Sequence, residues 1–154
     1  MRRAVIIITL MAMTAGAAFW AGTTSTKMQT VSIEKADIVA GEQIYRDYCA
    51  ACHGANLEGQ ENWRSSGADG KLPAPPHNEK GHTWHHSDQI LIDYTTLGGT
   101  ALMAQQGIEF ASGMPGFGDE LSDTQIHDVL AFIKSTWPER IQKIQAERTK
   151  AEGE

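Results

Sequence analysis

The sequence predicts an all-α domain of three to five helices, and three capped apolar runs carry that expectation. The strongest opens at Ser122-Asp123-Thr124-Gln125, a capping-box pattern in which the first and fourth side chains satisfy each other's backbone N–H groups. Behind it Ile126, Val129, Leu130, Ile133 and Trp137 recur at helical spacing, with Phe132 beside them. Pro138 ends that run and can start a last helix at its first position. A second run, Gln89 to Leu97, follows the capping residues Ser87 or Asp88 and is stopped by Gly98-Gly99. The third begins at Asp37 and passes through Val39 into Cys49, with Gly41, Tyr45 and Tyr48 on one face. Thr100 to Gly107 reads as one short helix more.

Between these runs the chain is broken. Gly54 to Gly70 is loop with at most a turn of helix, and Leu72-Pro73-Ala74-Pro75-Pro76 is extended, because proline lacks the N–H that a helix interior needs. The tail from Glu139 to Glu154 alternates charge and offers only Ile141 and Ile144 as apolar anchors, so it reads as a solvated helix or a frayed end.

The chain has 154 residues, the length of one domain with an extension or two. It carries 13 basic and 19 acidic residues, a net charge of −6. Loss of Arg2 and Arg3 with a leader would deepen that by two. Such a surface repels nucleic acid and anionic headgroups and favours a partner with a basic docking face.

Both cysteines lie in Cys49-Ala50-Ala51-Cys52-His53. This C-x-x-C-H spacing is that of c-type haem attachment. Each sulfur adds to one vinyl group of the porphyrin, two intervening residues span the gap between vinyls, and the histidine that follows is carried under the macrocycle. A redox dithiol has no need of the histidine, and a zinc site needs two further ligands. One covalent haem c is therefore expected, with Cys49 and Cys52 as its thioether anchors and His53 as one axial iron ligand. A covalently held apolar macrocycle also supplies packing surface that so small a domain lacks.

Met114 is the expected second iron ligand. It stands in Ser112-Gly113-Met114-Pro115-Gly116-Phe117-Gly118, a loop with no packing need for a thioether. Met103, the competitor, falls within the short helix and lacks the following proline.

The N-terminus has an Arg2-Arg3 n-region, an apolar stretch from Ala4 to Met13, and small residues at Thr14 to Ala18 with an A-x-A match. It reads as a secretory signal peptide. The rival reading is an uncleaved inner-membrane anchor, since Ala4 to Gly22 carries no charge. Either way the domain is exported to the periplasm, free or tethered. Thr23 to Ile33 is a polar linker.

Taken together, the Gly41–Tyr45 helix, Cys49-x-x-Cys52-His53, Met114-Pro115-x-Phe117 and the capped helix ending at Trp137 resemble a class I cytochrome c. The resemblance covers about 37–137 and is loose from Trp63 to Gly99. It implies residues 1–20 as leader or anchor, 21–36 as linker, 37–137 as cytochrome c domain and 138–154 as a charged helical tail. It also implies that the first and last helices of the domain cross with Gly41 and Tyr45 against Val129 and Phe132. A proline carbonyl is expected to hold the free nitrogen of His53. Pro73 and Pro75 are the candidates, Pro75 being favoured although Ala74-Pro75-Pro76-His77 only partly matches the family's Gly-Pro-x-Leu. Trp63 and Arg64 are candidate haem-pocket donors to the propionates, or simply an aromatic and a cation on a loop.

The departure from the pattern is a histidine-rich segment, His77, His82, His85 and His86 around Trp84. It reads as a solvated loop with Trp84 packed on the domain, the rival being a second metal site such as copper. The expected function is one-electron transfer between exported or membrane-bound redox partners, without enzymatic turnover. The alternatives, a haem subunit of a redox enzyme and a small-gas-binding module, both need Met114 to be displaced.

Overall fold

The computed structural model describes residues 35–153, and the expected all-α fold is the one observed there. Among the described residues there is no strand, and no helix is long and apolar enough to cross a membrane. The leader and nearly all of the linker expected at the N-terminus lie outside the described residues.

Helix α1 spans Ile38–Ile44. The Asp37 carboxylate caps it, accepting from the N–H groups of Val39 (2.9 Å) and Ala40 (3.1 Å). The chain then widens into a π-helical turn, Tyr45–Cys49, before α2, Ala50–His53. One wide turn rotates the following residues off the face they would share in a regular helix. Gly41 and Tyr45 are buried as expected, but Tyr48 is 40% exposed. Its ring meets the edge of Phe117 at 6.2 Å instead.

Helix α3 (Asp88–Leu97) is capped by Ser87 and turns at Gly98 into α4 (Gly99–Gln105). Helix α5 (Asp123–Ser135) has the full capping box formed by Ser122 and Gln125. Its expected apolar positions Ile126, Val129, Leu130 and Ile133 are all buried, as is Trp137 beyond its end.

The crossing of α1 over α5 is the centre of the fold. Three contacts define it. The Asp37 N–H donates to the buried Asp128 carboxylate at 2.8 Å. Gly41 lies on the Asp128 carbonyl so closely that a Cβ there would meet the carbonyl carbon at 2.5 Å and its oxygen closer still. The Tyr45 and Phe132 rings then pack at 5.5 Å. Gly41 thus meets the backbone of Asp128 and the Cβ of Phe132, while Val129 is buried in the adjoining core.

The C-terminal segment is the expected solvated helix rather than a frayed end, most of its residues being exposed. It forms α6, Glu139–Glu152, with Pro138 at the cap position rather than inside the first turn. Helix α6 packs against a 3₁₀ turn at Thr83–His85. Its buried residues are Ile141, one of the two expected apolar anchors, and the polar Gln145. Gln145 Nε2 donates to Asp88 Oδ1 (2.7 Å) and the His86 carbonyl (3.2 Å), and Lys134 of α5 pairs with the same Asp88 carboxylate at 2.6 Å. Asp88 in turn donates its backbone N–H to Thr149 Oγ1 (3.0 Å). One carboxylate therefore ties α3, α5 and α6 together.

Gln145→Ala should cost about 1–3 kcal/mol, the usual penalty for leaving buried hydrogen-bond partners unpaired. The low end is expected, because Gln145 Oε1 is itself buried without a partner in the native fold. Urea denaturation followed by helical circular dichroism reads the loss directly.

Candidate functional site

The turn from Cys49 to His53 sits where the first helix ends, and local bonds fix it there. The Tyr45 hydroxyl, one helical turn before Cys49, donates to the Gly54 carbonyl at 2.9 Å. Gly54 has φ +82 and so reverses the chain directly after the histidine. Cys49 is half-buried, Cys52 is exposed, and both thiols are unpaired. Burial, with a smaller contribution from Cys52, pushes the Cys49 thiol up to about 11.

His53 is buried, and its Nδ1–H donates to the Pro75 carbonyl at 2.8 Å. A proton committed to Nδ1 leaves Nε2 with a free lone pair, the form that binds a metal. Burial lowers the affinity of His53 for a second proton, and the Pro75 hydrogen bond opposes that only in part. The side chain is therefore neutral at pH 7 and ready to ligate.

Pro75 is delivered from a distant loop by a clamp that the sequence did not announce. Gln60 pairs twice with Ala74, its N–H donating to the Ala74 carbonyl (2.8 Å) and its Oε1 accepting from the Ala74 N–H (2.8 Å). The Gly59 N–H donates to the His53 carbonyl (2.7 Å). Gly59 also presses on the Pro75–Pro76 peptide, where a Cβ would lie 2.6 Å from the Pro75 carbonyl carbon. The one signal in the sequence is a glycine followed by an amide side chain, too common a pair to read.

Met114 is half-buried in a loop that two pairs of backbone contacts pin to α3. The Phe117 and Gly118 N–H groups donate to the Thr95 (2.9 Å) and Thr96 (3.0 Å) carbonyls. Gly98 and Gly116 touch backbone to backbone, since a Cβ on Gly98 would stand 2.5 Å from the Gly116 nitrogen. Leu97, Ala101, Ala104, Met114 and Pro115 line a cleft of about 500 Å³ there, to which Met103 does not contribute.

The remaining candidates engage each other. Trp63 stacks on His82 (5.5 Å, 10°), and the Arg64 guanidinium lies 3.9 Å over the Trp63 ring. The histidines divide between surface and interior. His82 and His85 are exposed, His85 stacking on Trp84 at 3.7 Å, and His86 is half-buried. His77 packs against His53 with ring centroids 3.9 Å apart. Among the described residues no group of three or more histidine, cysteine, aspartate or glutamate side chains is placed to hold a metal ion.

These donors suit haem. A neutral imidazole and a thioether on a pinned loop are ligands that iron porphyrin takes, and two thiols three positions apart match its two vinyl groups. A helical frame presenting C-x-x-C-H with its histidine held by a proline carbonyl defines a c-type haem protein. The chain belongs to the cytochrome c family, whose family model matches residues 38–137. It is similar to the gluconate 2-dehydrogenase cytochrome c subunit of Pantoea cypripedii, with 34% identity over 108 residues. That match takes in 66% of this chain and 21% of the other, so the chain spans about a fifth of its relative's length. No solved structure matches significantly.

Proposed function

We propose that this chain is a periplasmic one-electron carrier with a single haem c, held by Cys49 and Cys52 and ligated by His53 and Met114. The observation that carries the reading is the 2.8 Å hydrogen bond from His53 Nδ1 to the Pro75 carbonyl. It fixes the tautomer and tethers the ring at Nδ1, and a dithiol or a solvated histidine would need neither. When bound, haem supplies an iron that gains or loses one electron.

The chain's own residues do the rest. Cys49 and Cys52 hold the macrocycle at the end of the first helix. His53 offers Nε2 on one side, its proton kept on Nδ1 by Pro75. Met114 offers a thioether from a loop held at both flanks, and a thioether with an imidazole favours reduced iron relative to two imidazoles. Because the loop is pinned to Thr95 and Thr96, Met114 stays in place, which favours carriage of electrons over turnover of a substrate or capture of a gas.

The similarity to a dehydrogenase's cytochrome c subunit supports an exported dehydrogenase as the electron donor. The acidic balance of the chain supports docking on a basic face. Carbon monoxide added to the reduced holoprotein tests the carrier reading: an unchanged spectrum is expected, and ready binding would favour the gas-binding or enzymatic alternatives.

Export rests on the leader. Intact mass of the periplasmic holoprotein is expected to lack Met1 to about Ala17. Recovery only from detergent-solubilised membranes with the leader intact would show the anchor instead.

A further inference from the structure

His77 is held more completely than any solvated loop histidine needs to be. Its N–H donates to the Leu57 carbonyl (2.9 Å), and its carbonyl accepts from Trp137 Nε1 (2.7 Å). Its ring nitrogen Nδ1 lies 3.1 Å from the hydroxyl of Thr83, a buried residue in the 3₁₀ turn on which α6 packs. Tyr45 meets the ring edge-on at 6.1 Å and 83°. The ring also meets the imidazole of His53, centroid to centroid 3.9 Å with the planes inclined at 42°.

One hydrogen bond to Pro75 fixes a point on the His53 ring but leaves the ring free to swing about that point. A second ring at 3.9 Å, inclined 42° to the first and itself anchored by a hydroxyl, restricts that swing. We propose that His77 is a positioning residue that sets the plane of the His53 imidazole through its close, tilted contact with that ring and its anchor at Thr83. The inference rests on His53 being the axial ligand. It explains why an imidazole stands where the family's Gly-Pro-x-Leu pattern has an aliphatic residue. Leucine would fill the space, but nothing could hold it in register with Thr83. Groups that orient a metal's ligand in this way tune the metal as well.

The test uses the oxidised holoprotein. Electron paramagnetic resonance reads the orientation of an axial ligand plane through the g values, and a reduction potential reads the iron's environment. The wild type is expected to give one sharp low-spin species. His77→Leu keeps bulk but loses the anchor, and Thr83→Val removes only the hydroxyl. Both are expected to retain covalent haem and helicity while the low-spin signal broadens and its largest g value shifts, with a shifted potential and a smaller effect for Thr83→Val. Should His77→Leu fail to accumulate, Thr83→Val decides alone. Wild-type g values and potential in the variants would overturn the proposal. A His53→Ala protein that keeps the low-spin signal would overturn the ligand reading beneath it, a different result in a different variant.

Discussion

Met114→Ala is expected to keep its covalent haem and its helical content yet lose the sulfur-to-iron charge-transfer band at the red end of the visible spectrum. The reason is architectural. Met114 lies in a loop fastened on both sides, before it by the Ser112 N–H donating to Thr100 Oγ1 (3.1 Å) and after it by Thr95 and Thr96 to Phe117 and Gly118. None of those contacts involves the thioether, so truncating the side chain opens the iron without releasing the loop. Carbon monoxide binding should appear in the reduced protein, and the reduction potential should fall, because a soft thioether favours ferrous iron. Met103→Ala is expected to do none of this. Met103 sits on α4, where its carbonyl accepts from the N–H groups of Gln106 and Ile108. Loss of the band in the Met103 variant and its survival in the Met114 variant would reverse the ligand assignment.

Gly41→Val is the substitution expected to damage the fold most. Exposed helix glycines cost about 1 kcal/mol relative to alanine, so replacing one usually helps. Here the opposite sign is expected. The added Cβ meets main-chain carbon and oxygen of Asp128, which cannot rotate aside. Relief requires α1 and α5 to separate, and that also strains the Asp37–Asp128 hydrogen bond and the Tyr45–Phe132 packing. Overpacking a well-packed site costs about 1–3 kcal/mol, and a backbone-to-backbone clash belongs at or above the top of that range. Against a total stability of about 5–15 kcal/mol, such a loss shows as a much lower urea midpoint and a poor yield of holoprotein. Gly41→Ala should show the same direction with a smaller shift. Stability equal to wild type in both would mean that the helices do not cross at Gly41.

What could be read from the sequence divides by range of interaction. The caps at Asp37, Ser87 and Ser122 were legible because a capping side chain and its target N–H lie within three residues of each other. The C-x-x-C-H turn was legible because all its chemistry lies in five consecutive residues. The π turn was not, since nothing in Tyr45–Cys49 distinguishes a wide turn from a regular one, and Tyr48 was placed on the buried face as a result. The docking of helix α6 was legible only at Ile141, which is buried as expected. Its fully buried anchor is Gln145, whose partners on Asp88 and His86 stand nearly 60 positions away. The Gln60 clamp on Ala74 and the contact of the His77 ring with His53 are hidden for the same reason: side chains meeting distant chain leave no local pattern. The histidine-rich segment looked uniform in sequence, yet the fold sends His77 inward and leaves His82 and His85 outside.

The most direct test of the whole account is the state of the haem in the exported protein. Intact mass under denaturing conditions should exceed that of the mature polypeptide by one haem, alkaline pyridine spectra should show both vinyl groups saturated, and acid-acetone should extract no pigment. A chain whose haem comes away in acid-acetone, or whose mass is that of the polypeptide alone, would contradict the account at Cys49, Cys52 and His53 together.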